Sequence, residues 1–131
     1  MNKNVSNHNN NASKKAEKIY DIRERIFQYA LRIIEISEML PQTKDLDAIR
    51  KQFIKSGTSI GANMEESDGT DTRRDFVNKV VLTRKEAKVS KYWLRIIASK
   101  YIKKDVLEDD IQEVQEIINI LSAIINKTKS A

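Results

Sequence analysis

Four apolar stripes, each stepping by three and four residues, constrain this chain more than any other feature. The first is Ile19, Ile22, Ile26, Tyr29, Ile33, Ile36 and Leu40. The second is Leu46, Ile49, Phe53, Ser56, Ile60 and Asn63, and the third Phe76, Val80, Ala87, Leu94, Ile97 and Tyr101. The fourth is Leu107, Ile111, Val114, Ile118, Leu121 and Ile125. That spacing puts each set on one face of an α-helix. Breaks fall between the stripes. Pro41 ends the first helix, because the residue before a proline avoids helical geometry. Thr43 or Asp45 can cap the second, and Ser67 to Asp71 reads as a loop. Thr72-Arg73-Arg74-Asp75 reads as a capping box for the third, and Asp105 to Glu108 offers a cap-like start for the fourth. The expected helices are 14–40, 44–66, 72–101 and 105–127, in an all-α, antiparallel up-down-up-down four-helix bundle. Only three Gly and one Pro agree with that class.

The bundle domain is expected over 14–131, and 131 residues suit one core. Residues 1–13 hold six Asn and almost nothing apolar. Such a stretch cannot bury enough surface to offset its ordering entropy, so a disordered tail is expected.

Two glycines interrupt the second helix. Gly57 and Gly61 lie one turn apart on one side, flanked by Ser56, Ser59 and Ala62. Each costs roughly 1 kcal/mol against Ala in a helix interior. A smooth face that admits another backbone accounts for both; local tolerance of Gly is the plainer alternative. Asn63 falls on the apolar stripe and needs a hydrogen-bond partner there. Glu86 is a candidate, and Asn63 and Glu66 are expected to make buried or inter-helix hydrogen bonds near the loop. Trp93, at core spacing, reads as packing, although Trp93 and Tyr92 are also aromatics able to stack on bases.

Several functional classes find no support. There is no Cys for a disulfide, a zinc-thiolate site or a thiol nucleophile. The lone histidine, His8, lies in the tail, so the Glu-x-x-His pairs of a di-iron bundle and His-based acid–base catalysis are missing. Glu65 and Glu66 point to different sides of a helix and make a poor catalytic pair. No Walker-type phosphate loop occurs. A non-enzymatic protein without a metal or cofactor is expected. No apolar run approaches the roughly 18 residues of a membrane span, and the start lacks the apolar core of a signal peptide. A cytoplasmic location follows as the expectation.

Two helices carry a second apolar row: Phe27, Leu31 and Ile34 on the first, and Ile117, Ile120 and Ile124 on the fourth. A bundle helix needs an apolar arc of only about 100°, and surplus apolar surface marks interfaces. Self-association is expected, with the row of Ile120 and Ile124 as a candidate contact. The alternative is a wide core arc in a small bundle.

Charge is segregated. From Arg73 to Lys104 there are eleven Lys and Arg against two acids, and from Asp105 to Glu116 six acids and no base. Arg84, Lys88, Lys91 and Arg95 line one face of the third helix, and Lys51 and Lys55 on the second helix are candidates to extend the patch. Such a row suits nucleic-acid phosphates, whose contacts come mainly from Lys and Arg. Pairing with the acids of the fourth helix at Asp109, Glu113 or Glu116, or simple solvation, remains open at this point. No sequence-reading motif of a known nucleic-acid fold is visible, so binding would rest on shape and charge.

The run Ser59-Ile60-Gly61-Ala62-Asn63-Met64-Glu65-Glu66-Ser67 resembles the signature of the small four helix bundle proteins, the 23S rRNA intervening-sequence protein family. Asp75-Phe76, Lys85-Glu86-Ala87, Tyr92-Trp93-Leu94 and the block Ala30-Leu31-Arg32-Ile33-Ile34 ahead of Pro41 agree with it. The likeness runs from about Ile19 to Ile125. Gly61 departs from it, since many relatives carry Pro or another small residue there. The resemblance implies a bacterial four-helix bundle in a ring of five subunits. It also implies an accessory role beside RNA or DNA. Some relatives are encoded within rRNA intervening sequences, and others accompany retroelement reverse transcriptases, so a larger protein of that kind is an implied partner. An oligomeric protein–protein scaffold without nucleic acid is the alternative.

Overall fold

A computed structural model describes residues 22–131. The expected tail over 1–13 and the first turns expected from residue 14 lie outside the described residues. The described chain forms helices α1 (Ile22–Met39), α2 (Asp47–Ser67), α3 (Arg73–Lys100) and α4 (Lys104–Ser130), with a 3-10 turn at Lys44–Leu46. No strand occurs among the described residues.

The boundaries follow local chemistry. α1 stops two residues before Pro41. Thr43, expected to cap α2, makes no side-chain cap bond and leads into the 3-10 turn instead; α2 begins only at Asp47. Thr72 does cap α3, its hydroxyl accepting from the Asp75 amide at 3.0 Å, which satisfies one orphan donor of the first turn. α4 starts one residue early at Lys104, without a side-chain cap, and continues to Ser130.

Each helix packs on the next, and α4 packs back against α1. The core is one continuous cluster, with Phe53, Ile33, Ile36, Ile60, Leu94, Ile97, Leu107 and Leu121 inaccessible to solvent. Two details depart from the sequence expectation. On α2 the last core position is Met64, not Asn63. Asn63 is half-buried and donates to the Ser59 carbonyl of its own helix at 3.1 Å, so the expected bond to Glu86 is not made. On α4 the second apolar row belongs to the core. Ile117 is fully buried, and Ile120 and Ile124 pack against the cluster. That row is therefore largely taken up by the subunit's own core, and the row of Phe27, Leu31 and Ile34 on α1 is the more exposed apolar face.

Tyr29 and Ser90 share a 2.7 Å hydrogen bond inside this core. Burial pushes the Tyr29 phenol well above its ordinary value of 10.0; the Ser90 bond opposes this in part, and Asp110 and Glu113 add to it. The folded chain therefore keeps this proton after the unfolded chain has lost it. Stability from this source is whole below the ordinary phenol range and falls as pH rises past about 10. In urea titrations across that range, Tyr29→Phe is expected to lose stability less steeply than wild type. Parallel profiles would show that ionisation of Tyr29 is not coupled to folding.

Candidate nucleic-acid interface

The acids of α4 meet arginines of α1. Arg25 donates from Nε to Glu113 Oε2 at 3.0 Å and from Nη2 to Glu113 Oε1 at 2.6 Å, and Nη2 also reaches Glu116 at 2.8 Å. Seven residues on, Arg32 forks onto Asp110 at 3.0 and 3.1 Å. The hydrogen bond to Glu113 is the main cause of a raised Arg25 pKa, with burial opposing and Glu116 adding. Asp110, then Glu35, does the same for Arg32. Both guanidinium groups are held firmly as cations. These fork contacts combine charge with fixed geometry.

The basic row of α3 is left with neutral company. Arg84 donates to the Ser122 hydroxyl at 3.1 Å and Lys91 to the Gln115 side-chain carbonyl at 2.5 Å. Lys88 and Arg95 are exposed beside them. None of Lys88, Lys91, Arg84 or Arg95 has a carboxylate within ion-pair distance among the described residues. The sequence left open a pairing of this row with Glu113 or Glu116; both acids turn to Arg25 instead, and Asp109 is exposed.

Lys51 and Lys55 are exposed on α2 but make no bond to the row. The Arg84 and Lys91 bonds place the row on the α4 side of α3. The α2 side of α3 is marked by Lys79, which pairs with Glu66. Lys79 and Arg84 sit about 140° apart around the helix at 100° per residue. The six cations thus form an α3 row and a separate α2 pair.

The packing residues divide similarly. A Cβ on Gly57 would lie 2.7 Å from Ile33 Cγ2, whereas one on Gly61 would meet Ile26 Cγ2 at 3.5 Å. The close approach is at Gly57. Gly61 instead helps to line an apolar groove between α1 and α2, with Phe27, Leu31 and Ile34 on one wall and Thr58 and Ala62 on the other. Phe27 is 56% exposed, Leu31 46% and Ile34 40%. Glu66 bonds across helices as expected, at the surface. Trp93 is half-buried against the core. Its ring lies 6.1 Å from that of Tyr92 at an interplanar angle of 61°.

A family model for the 23S rRNA-intervening sequence protein matches residues 18–123. This chain belongs to that family. A solved structure from Bacteroides thetaiotaomicron, a protein of unknown function from the S23 ribosomal protein family, is similar at 32% identity and a TM-score of 0.74. The likeness covers 79% of this chain and 97% of that one. No curated protein matches the chain.

In this member of the 23S rRNA-intervening sequence family, the signature run from Ser59 to Ser67 makes up the last turns of α2. Ile60 and Met64 fill the core, Gly61 opens the groove, and the Ser67 hydroxyl returns to the Met64 carbonyl at 2.6 Å. Nothing in the run was readable from sequence as groove rather than core, because both need small or apolar residues. Among the described residues no cluster of His, Cys, Asp or Glu is placed to hold a metal ion, and no helix is long and apolar enough to cross a membrane.

Proposed function

We propose that this chain is a non-enzymatic, antiparallel up-down-up-down bundle that assembles into a ring-like homo-oligomer, five-fold as the resemblance implies. It serves in the cytoplasm as a nucleic-acid-binding accessory protein. The helix direction is supported by the order of paired residues. Arg25 pairs with Glu113 and Arg32 with Asp110, and Arg84 bonds Ser122 where Lys91 bonds Gln115. In each case chain order reverses between partners.

The observation that carries the binding function is the uncompensated row on α3. The protein has a net charge of +5, and the α4 acids Asp110, Glu113 and Glu116 are taken up by α1 rather than by this row. Repulsion within such a row is relieved by a polyanion, which also releases its own counterions. Arg84 to Arg95 spans about 16 Å at 1.5 Å per residue, enough for several phosphates. In a ring the row repeats, and weak sites add through avidity. Binding is expected to fall steeply with salt. Reversing Lys88 and Arg95 to Glu is expected to weaken all sequences alike and to flatten the salt slope, with melting temperature little changed because both are exposed. An intact variant with unchanged affinity for RNA and DNA would remove these residues from the site.

A second reading is an oligomeric protein–protein scaffold without nucleic acid. The groove of Phe27, Leu31 and Ile34 favours it. A wild-type protein that binds neither RNA nor DNA at low salt would decide for it.

A further inference from the structure

We propose that the α3 surface takes single-stranded rather than duplex nucleic acid, with Tyr92 as a platform on which one base stacks. This rests on the nucleic-acid reading above. Tyr92 is 59% exposed, more than any other large hydrophobic side chain among the described residues. It stands one turn from Lys88 and one turn from Arg95, both exposed, since residues three and four apart are helix neighbours. An aromatic ring is thus set between two cations that have no carboxylate partner.

The ring's geometry suits stacking. Trp93 approaches at 6.1 Å with an interplanar angle of 61°, an edge-to-face arrangement that leaves at least one face of Tyr92 uncovered by Trp93. Trp93 is itself fixed against the core, so Tyr92 is held by a rigid neighbour. Exposed Val89, three residues before it, widens the apolar surface around the ring. A phosphate backbone tracking Lys88 and Arg95 brings an unpaired base over Tyr92. In a duplex the base faces are already occupied by their neighbours, so only the charge contacts remain. Stacking tolerates every base, which agrees with the absence of a sequence-reading motif.

The test uses the full chain, an unstructured oligouridylate and a duplex RNA of equal length. Trp93 is the only tryptophan, so its emission reports on the site directly. Wild type is expected to bind the single strand more tightly than the duplex, with a change in Trp93 emission. Tyr92→Ala is expected to weaken single-strand binding roughly 5- to 150-fold while leaving duplex binding and the salt slope unchanged. Tyr92→Phe, which keeps the ring, is expected to retain wild-type affinity. Failure to bind either form at low salt would overturn the nucleic-acid reading itself. Binding of both forms, with Tyr92→Ala equal to wild type, would overturn the stacking role and leave the charge role standing. A change of assembly mass in Tyr92→Ala would place Tyr92 between copies of the chain and overturn the proposal in favour of a protein contact.

Discussion

Gly57→Ala is expected to lower the stability of the bundle by up to about 2 kcal/mol, although alanine is the better helix former. The added Cβ would lie 2.7 Å from Ile33 Cγ2, 2.8 Å from Cγ1 and 3.0 Å from Cβ. Those atoms sit next to the backbone of a β-branched residue whose χ1 is stiff, and Ile33 is fully buried. The side chain has nowhere to swing, so α1 must move away from α2. Overpacking of this kind costs about 1–3 kcal/mol, against a propensity gain of roughly 1 kcal/mol. Gly61→Ala is the internal control. Its Cβ meets Ile26 Cγ2 at an ordinary 3.5 Å, so propensity wins and stability rises by up to about 1 kcal/mol. Urea melts followed by circular dichroism compare the two. Equal stabilisation by both substitutions would mean that α1 and α2 do not approach closely at Gly57.

That pair shows how far the sequence could be read. Two glycines one turn apart announced a close contact, but helical period cannot say which of them faces the neighbour's axis and which its edge. The same uncertainty of angle explains the other differences. The rhythm of α2 pointed to Asn63 as its last inward position; packing buries Met64 instead, and the amide turns back on its own helix at the Ser59 carbonyl. The second row of α4 was readable as apolar, but its burial depends on α1 and α3 flanking it. The second row of α1 is equally apolar and lies outside because α2 presents small residues beside it. Charge was hardest. The acids of α4 can reach either flanking helix, and no local pattern shows that Arg25 and Arg32 take Asp110, Glu113 and Glu116. That choice is what leaves the α3 row uncompensated. Pro41, the Thr72 cap and the four stripes needed no tertiary knowledge, and there, Asn63 apart, sequence and structure agree among the described residues.

Replacing both Phe27 and Leu31 with Glu is expected to convert the proposed oligomer into a folded monomer of 15.1 kDa. Phe27, Leu31 and Ile34 expose 56%, 46% and 40% of their surface, and they rise beside a groove whose far wall includes Gly61 and Ala62. Full burial of such a side chain contributes about 1.5–3 kcal/mol. Roughly half of that remains to be gained by each when a second copy covers it, and a ring multiplies the gain by its number of contacts. Two carboxylates in the same place lose this gain and would also have to be desolvated, at several kcal/mol per charge; Arg23, which lines the groove, is already paired with Asp68. The isolated subunit loses the half of each side chain's burial that it already makes, on the order of 1 kcal/mol per residue, and is expected to stay folded. Ile120→Glu with Ile124→Glu gives the opposite pattern, since both side chains pack on the subunit's own core: melting temperature falls before assembly can be judged. Light scattering at tens of micromolar, with circular dichroism on the same samples, separates these effects. A wild type already at 15.1 kDa would reject self-association. A Phe27/Leu31 variant that is fully helical and keeps the wild-type mass would place the interface on some face other than the α1–α2 groove.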